Sequence, residues 1–307
     1  MNQTYIGIIF ILLHSFFDVS FYTICKILQR DNIYSFNEEL VFVLLYNFKA
    51  LILVFIIFLL SNFNGYNINN TLTSLSLNKR QVLLYLTMSI FSSIGFLVFL
   101  YGLKSMLITN AISLKYLEQI LWVIVGTFIL KENLTYIQLK GILISCIGII
   151  LIIVDSLHKD QSFYTYCFPL LAALCWTISS SIGKYIVSNK LKIINHMIHY
   201  YTFHTLVLIV FTISVFTIKD VNFFELKINL GSYEFLVHIL SMSCFYLAMK
   251  ITNMSLLAPF VYIKLIFSFI IGILFFSETY NILNLCAYIL IISGGLKILT
   301  NVNKNKT

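Results

Sequence analysis

Charged residues are scarce in this chain. Asp, Glu, Lys and Arg make up only 10% of its 307 residues, whereas hydrophobic residues make up 60%. Soluble domains usually carry about 25% charged residues, so the composition excludes a chain built mainly of soluble domains. Long polar stretches are missing as well. The longest one runs approximately from Ser61 to Gln81 and is too short to hold a soluble catalytic domain.

Motifs that indicate enzymes or metal proteins are missing too. The six cysteines form no Cys-x-x-Cys pair and no cysteine–histidine set with zinc spacing. No Walker A, His-Glu-x-x-His or Gly-x-Ser-x-Gly pattern occurs. We therefore expect no cofactor, no metal and no enzymatic activity. The formal charge of +8 comes from scattered lysines rather than a basic run, so we expect no nucleic-acid partner.

Apolar runs dominate the sequence instead. A helix needs roughly 20 apolar residues to cross a bilayer. Ten apolar runs of about this length predict an all-α membrane protein that is embedded in the lipid bilayer. The predicted spans are 5–26, 39–60, 82–103, 108–130, 137–155, 165–187, 194–217, 233–250, 255–276 and 281–300. Lysine and arginine are more frequent in the loops on the side of the termini. This predicts a multi-pass protein of the plasma (inner) membrane with both termini cytoplasmic.

An internal repeat is found when the chain is shifted against itself by 146 positions. Like residues then meet in one register: Phe99 and Phe245, Lys104 and Lys250, Tyr116 and Tyr262, Gly126 and Gly272, Glu132 and Glu278, Gly148 and Gly294. We predict two five-helix repeats, 1–157 and 158–300, followed by a cytoplasmic tail, 301–307. Because five is odd, the second repeat enters the membrane inverted, which suits alternating access to a central site.

Two segments carry a family resemblance. The fourth span contains KYLEQILWVIVGTFILKE (Lys115–Glu132) and the ninth contains APFVYIKLIFSFIIGILFFSE (Ala258–Glu278). Both resemble the signature of the drug/metabolite transporter superfamily, in its EamA-like branch. The resemblance implies a carrier for a small-molecule substrate, with the tenth span at the periphery as a candidate homodimer contact. The ninth span is also similar to S-adenosylmethionine uptake carriers of intracellular bacteria.

Five ionisable residues fall within predicted spans, where a charge costs at least about 2.5–3.5 kcal/mol on insertion scales. They are Asp18, Lys49, Lys115, Glu118 and Lys264. Lys115 and Glu118 are three apart and share a face of a regular helix, and the repeat sets Lys264 opposite Glu118. We predict that Asp18, Lys115, Glu118 and Lys264 surround the transport path and bind a zwitterion. Two alternatives stay open: an intrahelical Lys115–Glu118 pair, and an Asp18–Lys49 pair that fixes helix packing.

Other residues receive supporting roles. We expect Trp122, Tyr116 and Tyr262 to offer stacking surface and cation–π contacts to the substrate. Structural or gating roles are expected for Lys49, Glu132, Glu278, Gly126, Gly272 and Pro259. Among these, the glycines permit close helix contact and the proline bends the ninth span.

The function predicted from the sequence is secondary-active transport of a small organic metabolite by alternating access. The predicted substrate is amino-acid-like or nucleoside-like, with S-adenosylmethionine among the candidates. The alternative within transport is export of drugs or surplus metabolites. Outside transport, the alternative is an intramembrane lipid-modifying enzyme.

Overall fold

The computed structural model describes residues 3–31, 36–62, 75–129, 136–157, 163–188, 192–219, 233–252, 257 and 260–299. These ranges are helical apart from short turns and contain no strand. The helices are α1 (Gln3–Asp31), α2 (Phe36–Asn62), α3 (Lys79–Lys104), α4 (Ile108–Lys115), α5 (Leu117–Ile129), α6 (Tyr136–Leu157), α7 (Phe163–Ser188), α8 (Ile193–Lys219), α9 (Glu234–Ile251), α10 (Ile263–Phe276) and α11 (Ile282–Leu299). The all-α prediction is confirmed for this part of the chain.

Six of the described helices are long and apolar enough to cross a membrane. They are Tyr5–Arg30, Asn37–Leu60, Lys79–Lys104, Tyr164–Ser188, Ile193–Ile218 and Glu234–Ile251. Shorter apolar helices cover Ile263–Phe276 and Ile282–Lys297, within the predicted ninth and tenth spans. Large apolar side chains such as Val210 and Leu274 are exposed on the outer surface, as a surface in contact with lipid requires. The total of ten spans stays a prediction.

The predicted fourth span is two helices rather than one. α4 ends at Lys115, Tyr116 forms a turn, and α5 begins at Leu117. The backbone N–H of Gln119 donates to the Tyr116 carbonyl at 3.0 Å, a tight i to i−3 bond that replaces the α-helical pattern. No proline or glycine lies at this break. Opposite charges match the two helix ends, because Lys115 lies in the last turn of α4 and Glu118 in the first turn of α5.

The ninth span has a turn at the equivalent position. Tyr262 precedes α10, and the Leu265 N–H donates to the Tyr262 carbonyl at 3.0 Å. The rings of Tyr116 and Tyr262 stack with their centroids 4.9 Å apart. The Tyr116 hydroxyl also donates to the carbonyls of Val261 and Tyr262, at 3.2 and 3.3 Å. The two breaks therefore pack on each other. Pro259, the predicted cause of the bend, lies outside the described residues.

Contacts between helices join the two predicted repeats. The most extensive contacts are α6 with α11, α3 with α7, α1 with α9, and α2 with α8. Each of these pairs takes one helix from each predicted repeat. If each span of the first repeat is exchanged with the equivalent span of the second, the α3–α7 pair becomes the α9–α1 pair. The α6–α11 and α2–α8 pairs each map onto themselves. The opposed insertion of the two repeats stays a prediction.

Glycines permit the closest of these approaches, between α6 and α11. A Cβ atom at Gly148 would lie 2.7 Å from the Ala287 carbonyl oxygen, and one at Gly294 would lie 2.5 Å from the Gly141 carbonyl oxygen. A Cβ at Gly295 would meet the Tyr262 ring at 2.4 Å. These glycines of the tenth span thus serve contacts within the chain, and a homodimer through them is not supported.

Candidate functional site

A cavity lies at the centre of the helices, with an empty volume of about 620 Å³ including its open part. Its lining includes polar and ionisable residues from both predicted repeats: His14, Asp18, Ser92, Lys115, Glu118, Gln119, Ser179, Ser180, His204, His238 and Lys264. Aromatic side chains form much of the remainder: Tyr22, Tyr46, Phe96, Trp122, Trp176, Tyr200, Phe245 and Tyr246.

Asp18 is the centre of a buried charge cluster, which we call the Asp18 cluster: His14, Asp18, Lys115 and Lys264. The carboxylate oxygen Oδ2 of Asp18 accepts from Lys264 Nζ at 2.6 Å and from Lys115 Nζ at 3.2 Å. His14 lies four residues before Asp18 on the same face of α1, and its Nε2 is 3.1 Å from Lys264 Nζ. The other ring nitrogen of His14 is 2.8 Å from the Ser241 hydroxyl of α9. One carboxylate thus accepts hydrogen bonds from a lysine of each predicted repeat.

Lys115 is held by aromatic rings as well as by Asp18. Its Nζ donates to the Tyr22 hydroxyl at 2.6 Å. The same ammonium lies 4.1 Å from the ring centroid of Trp176 and 4.5 Å from that of Tyr22, within the range of cation–π attraction. Tyr22 is four residues after Asp18, so α1 presents both groups to Lys115 from one face. The positive charge of Lys115 is therefore fully partnered by the protein.

Glu118 has a different environment from Asp18. Its side chain is only 6% exposed and lines the cavity, yet no ion pair or hydrogen bond joins it to another described residue. Its neighbour Gln119 also lines the cavity, and the Gln119 Oε1 atom is buried without a partner in the described structure. The first turn of α5 thus presents unfilled hydrogen-bond acceptors to the cavity.

The structure corrects three pairings expected from the sequence. Lys115 and Glu118 form no intrahelical ion pair, because the turn at Tyr116 separates their helices and Lys115 binds Asp18 instead. Lys264 does not pair with Glu118 across the cavity but with Asp18. Asp18 does not pair with Lys49.

Lys49 instead lies 3.7 Å from Glu234. This follows from the packing, since α2 contacts α9 beside α1. Lys49 is absent from the cavity lining, in keeping with the structural role predicted for it.

Trp122 lines the cavity, as expected for a stacking surface, and its Nε1 donates to the Ser180 hydroxyl at 2.8 Å. Tyr116 and Tyr262 do not line it. Their rings stack on each other, and their position at the two helix breaks gives them a structural role. We predicted that they contact substrate because they are aromatic. An aromatic ring can equally well pack against another ring away from the cavity, as these two do.

A second polar cluster lies at the end of α10, and we call it the Glu278 cluster: Lys26, Thr109, Glu278 and Tyr280. Glu278 Oε1 accepts from Lys26 Nζ and from the backbone N–H of Ile108, both at 2.7 Å. Its Oε2 accepts from the Tyr280 hydroxyl at 2.8 Å, and that hydroxyl is 2.7 Å from Thr109 Oγ1. Glu278 thereby ties the ends of α1 and α10 to the start of α4.

The chain reaches this cluster through a sharp reversal after α10. Ser277 adopts a left-handed conformation with φ 50°, and the Glu278 N–H donates to the Gly272 carbonyl at 3.0 Å. A Cβ at Gly272 would lie 2.6 Å from Glu278 Oε2 and 2.1 Å from the Tyr280 hydroxyl. Gly272 therefore leaves room for the Glu278 cluster, rather than for a neighbouring helix. Glu132 lies outside the described residues, and so do the surroundings of Gly126.

Lys184 makes contacts equivalent to those of Lys26. Lys26 Nζ donates to the Met106 carbonyl at 2.9 Å, and Lys184 Nζ donates to the Thr252 carbonyl at 2.8 Å and to the Met249 carbonyl. Thr252 is 146 positions after Met106, the shift of the predicted repeat. Lys26 thus connects the end of α1 to the turn after α3, and Lys184 connects the end of α7 to the turn after α9.

No group of three or more metal-ligating side chains occurs among the described residues. The cavity's own chemistry is charge and aromatic surface, which suits the binding of an organic molecule.

Comparison with known proteins agrees with this architecture. A solved crystal structure aligns over 98% of this chain and 98% of its own, with a TM-score of 0.63 and 17% sequence identity. At that identity the likeness shows a shared fold alone. No curated protein matches the chain. The EamA-like transporter family matches residues 5–154.

Residues 5–154 belong to the EamA-like transporter family. The match includes the fourth span, where the drug/metabolite transporter resemblance was seen, and the ninth span lies outside it. The apolar helices make the chain a multi-pass membrane protein, and the family match over residues 5–154 indicates the transport of small molecules. The match includes Asp18, Lys115, Glu118 and Trp122, so half of the cavity wall comes from the matched part of this EamA-like transporter.

Several cavity residues were not predicted from the sequence. Trp176 lines the cavity under the Lys115 ammonium. His204 lines it with neither ring nitrogen hydrogen-bonded to a described residue. One feature of the sequence could have indicated that α7 lines the cavity. Trp176 is followed by four hydroxyl residues, Thr177 and Ser179–Ser181, in an otherwise apolar helix.

Proposed function

We propose that this EamA-like transporter is a secondary-active carrier for a small organic metabolite and works by alternating access. The observation that carries the proposal is a buried cavity with charged and aromatic walls in an otherwise apolar bundle. Ionisable groups inside a membrane protein are costly and usually mark a substrate or ion pathway. We further propose that the carrier lies in a plasma (inner) membrane.

The paired helix breaks support movement of the two halves against each other. Transporters built of inverted repeats commonly bind substrate at discontinuous helices near the centre of the bilayer. Here Lys115 and Glu118 flank the break at Tyr116, and Lys264 follows the break at Tyr262. We propose that residues 1–157 and 158–300 are inverted repeats whose rocking moves these breaks and opens the cavity to one side at a time.

The Glu278 cluster is proposed as the gate at one end. It links α1, α4 and the end of α10 through buried bonds that must break if those helix ends separate. With both termini cytoplasmic, this end faces the outer side of the membrane. Lys184 on the α9 turn is its proposed counterpart on the cytoplasmic side, and Glu132 is proposed for the same end from the repeat alignment.

The function is tested with purified protein in two steps. A metabolite panel containing amino acids, nucleosides and S-adenosylmethionine is first screened for thermal stabilisation of the detergent-solubilised protein. Uptake of the best labelled compound is then measured in proteoliposomes. We expect saturable uptake that is abolished by Lys264→Met with normal membrane levels. A stabilising compound that never crosses the proteoliposome membrane would contradict the carrier.

Export of drugs or surplus metabolites is the second candidate, and the aromatic share of the cavity wall favours it. Inside-out vesicles separate the two directions, because an exporter accumulates its substrate there under the same gradient that drives import into right-side-out vesicles. The remaining alternative, an intramembrane lipid-modifying enzyme, would convert lipid in the same proteoliposomes.

A further inference from the structure

We infer that the cavity selects substrates carrying a positively charged nitrogen on an aromatic or apolar body, with Glu118 as the counter-charge. This inference rests on the proposed transport function and names the substrate class of its site. It differs from the expectation of a zwitterion bound equally by acid and lysine.

Both lysines of the cavity are already in contact with protein groups. Asp18 accepts from Lys115 at 3.2 Å and from Lys264 at 2.6 Å. Lys115 is further held by the Tyr22 hydroxyl and the Trp176 ring. An anionic substrate could reach either ammonium only by displacing these contacts, so the lysines offer little for a carboxylate.

Glu118 is the charged group of the cavity that has no partner among the described side chains. Four formal charges line the cavity, Asp18, Lys115, Glu118 and Lys264, and Asp18 binds both lysines. Glu118 lies in the first turn of α5, where the positive end of the helix dipole favours its negative charge. A cation placed beside Glu118 would satisfy a carboxylate that is otherwise buried without an ion pair, and such a carboxylate is costly.

The surrounding groups favour the same ligand. Gln119 lines the cavity, and its Oε1 atom is buried and lacks a partner in the described structure. An ammonium group donates up to three hydrogen bonds and accepts none, which suits a carboxylate with a carboxamide oxygen beside it. Trp122, one helical turn beyond Glu118, packs on Phe245 with ring centroids 5.7 Å apart. Those rings can take the apolar body of the ligand and add cation–π attraction.

The test uses three probes with one aromatic body and different charge: tryptamine, tryptophan and indole-3-acetate. Binding to the purified, detergent-solubilised protein is measured by calorimetry. We expect tryptamine to bind best and indole-3-acetate worst. Glu118→Gln should weaken tryptamine at least about tenfold, which corresponds to 1.4 kcal/mol, and should reduce the difference between tryptamine and indole-3-acetate. Glu118→Asp should restore part of the preference.

The matched control is Glu39→Gln, which removes a buried carboxylate of α2 that does not line the cavity and should leave tryptamine binding unchanged. Thermal unfolding without ligand shows that each variant is folded. Equal binding of the three probes, preference for indole-3-acetate, absence of tryptamine binding, or an unchanged preference in Glu118→Gln would overturn the inference. Charge preference that depends on Glu118 without transport in proteoliposomes would instead overturn the carrier and leave this inference standing.

Discussion

Asp18 holds the charges of the cavity together. Its carboxylate accepts from one lysine of each predicted repeat, so it connects the helices on either side of the cavity that carry the two breaks. Lys264 in particular needs this partner, because a lysine in the first turn of α10 is unfavourable with the helix dipole. Glu118 occupies the equivalent position in α5 and has the favourable sign.

Replacing Asp18 tests this role. Asp18→Asn leaves two buried lysines without a counter-charge and should destabilise the protein by about 3–5 kcal/mol. Thermal unfolding in detergent measures the loss. The double variant Asp18→Asn, Lys264→Met should lose less unfolding free energy than the two single variants lose in sum, because it also removes one of the two lysines left without a counter-charge. Strictly additive effects would show that the two side chains do not interact.

The choice of partner for Asp18 could not be predicted from the sequence. Lys49, Lys115 and Lys264 all fall within predicted spans, and spacing alone does not say which helices are neighbours. Packing of α2 on α9 directs Lys49 to Glu234. The same limit applies to Trp176, because its role depends on α7 lying beside α4. The sequence did single out five residues that line the cavity, because charge and large rings are rare within apolar runs: Asp18, Lys115, Glu118, Trp122 and Lys264.

At the scale of the element, the two helix breaks define the site. Their positions obey the repeat found in the sequence, since Tyr262 follows Tyr116 by 146 residues. The break itself was not predicted, because no proline or glycine lies between Lys115 and Glu118 and helix propensity favours continuation. It is stabilised by tertiary contacts, chiefly those between Tyr116 and the backbone at Val261 and Tyr262.

The Tyr116 hydroxyl provides a specific test of the breaks. Tyr116→Phe keeps the stacked ring and removes the two bonds to backbone carbonyls, so it should lower the free energy of unfolding by about 1 kcal/mol. Tyr101→Phe is the matched control, because that ring is half-exposed on α3 and packs on Phe168. Equal unfolding temperatures for Tyr116→Phe and the wild type would remove the hydroxyl from the account.

The contact between α6 and α11 gives a second test at this scale. Gly294→Ala places a Cβ atom 2.5 Å from the Gly141 carbonyl oxygen, so the helices must separate. Overpacking of this kind costs about 1–3 kcal/mol. Ile289→Ala changes the outer face of the same helix and should have a smaller effect on thermal unfolding. A neutral Gly294→Ala would mean that α11 does not pack this closely.

At the scale of the whole molecule, the account predicts a cavity that exchanges sides. The Asp18 cluster and the unpaired Glu118 lie at the centre, and the Glu278 cluster and the Lys184 contacts lie at helix ends. The apolar runs and the repeat were sufficient to predict a helical membrane protein with a polar centre. Glu278 was expected to have a structural or gating role, but its partner Lys26 could not be predicted, because the two residues are 252 positions apart and meet only through packing of α1 beside α10.

Side-specific labelling of one cavity residue tests the central claim most directly. Ser179, which lines the cavity, is replaced by cysteine in a background without the native cysteines and exposed to a membrane-impermeant maleimide from either side. We predict that adding Glu278→Gln increases labelling from the outer side and decreases it from the cytoplasmic side, because the outer gate is weakened. Labelling from one side only, unchanged by Glu278→Gln and by replacement of Lys26 or Lys184, would contradict alternating access.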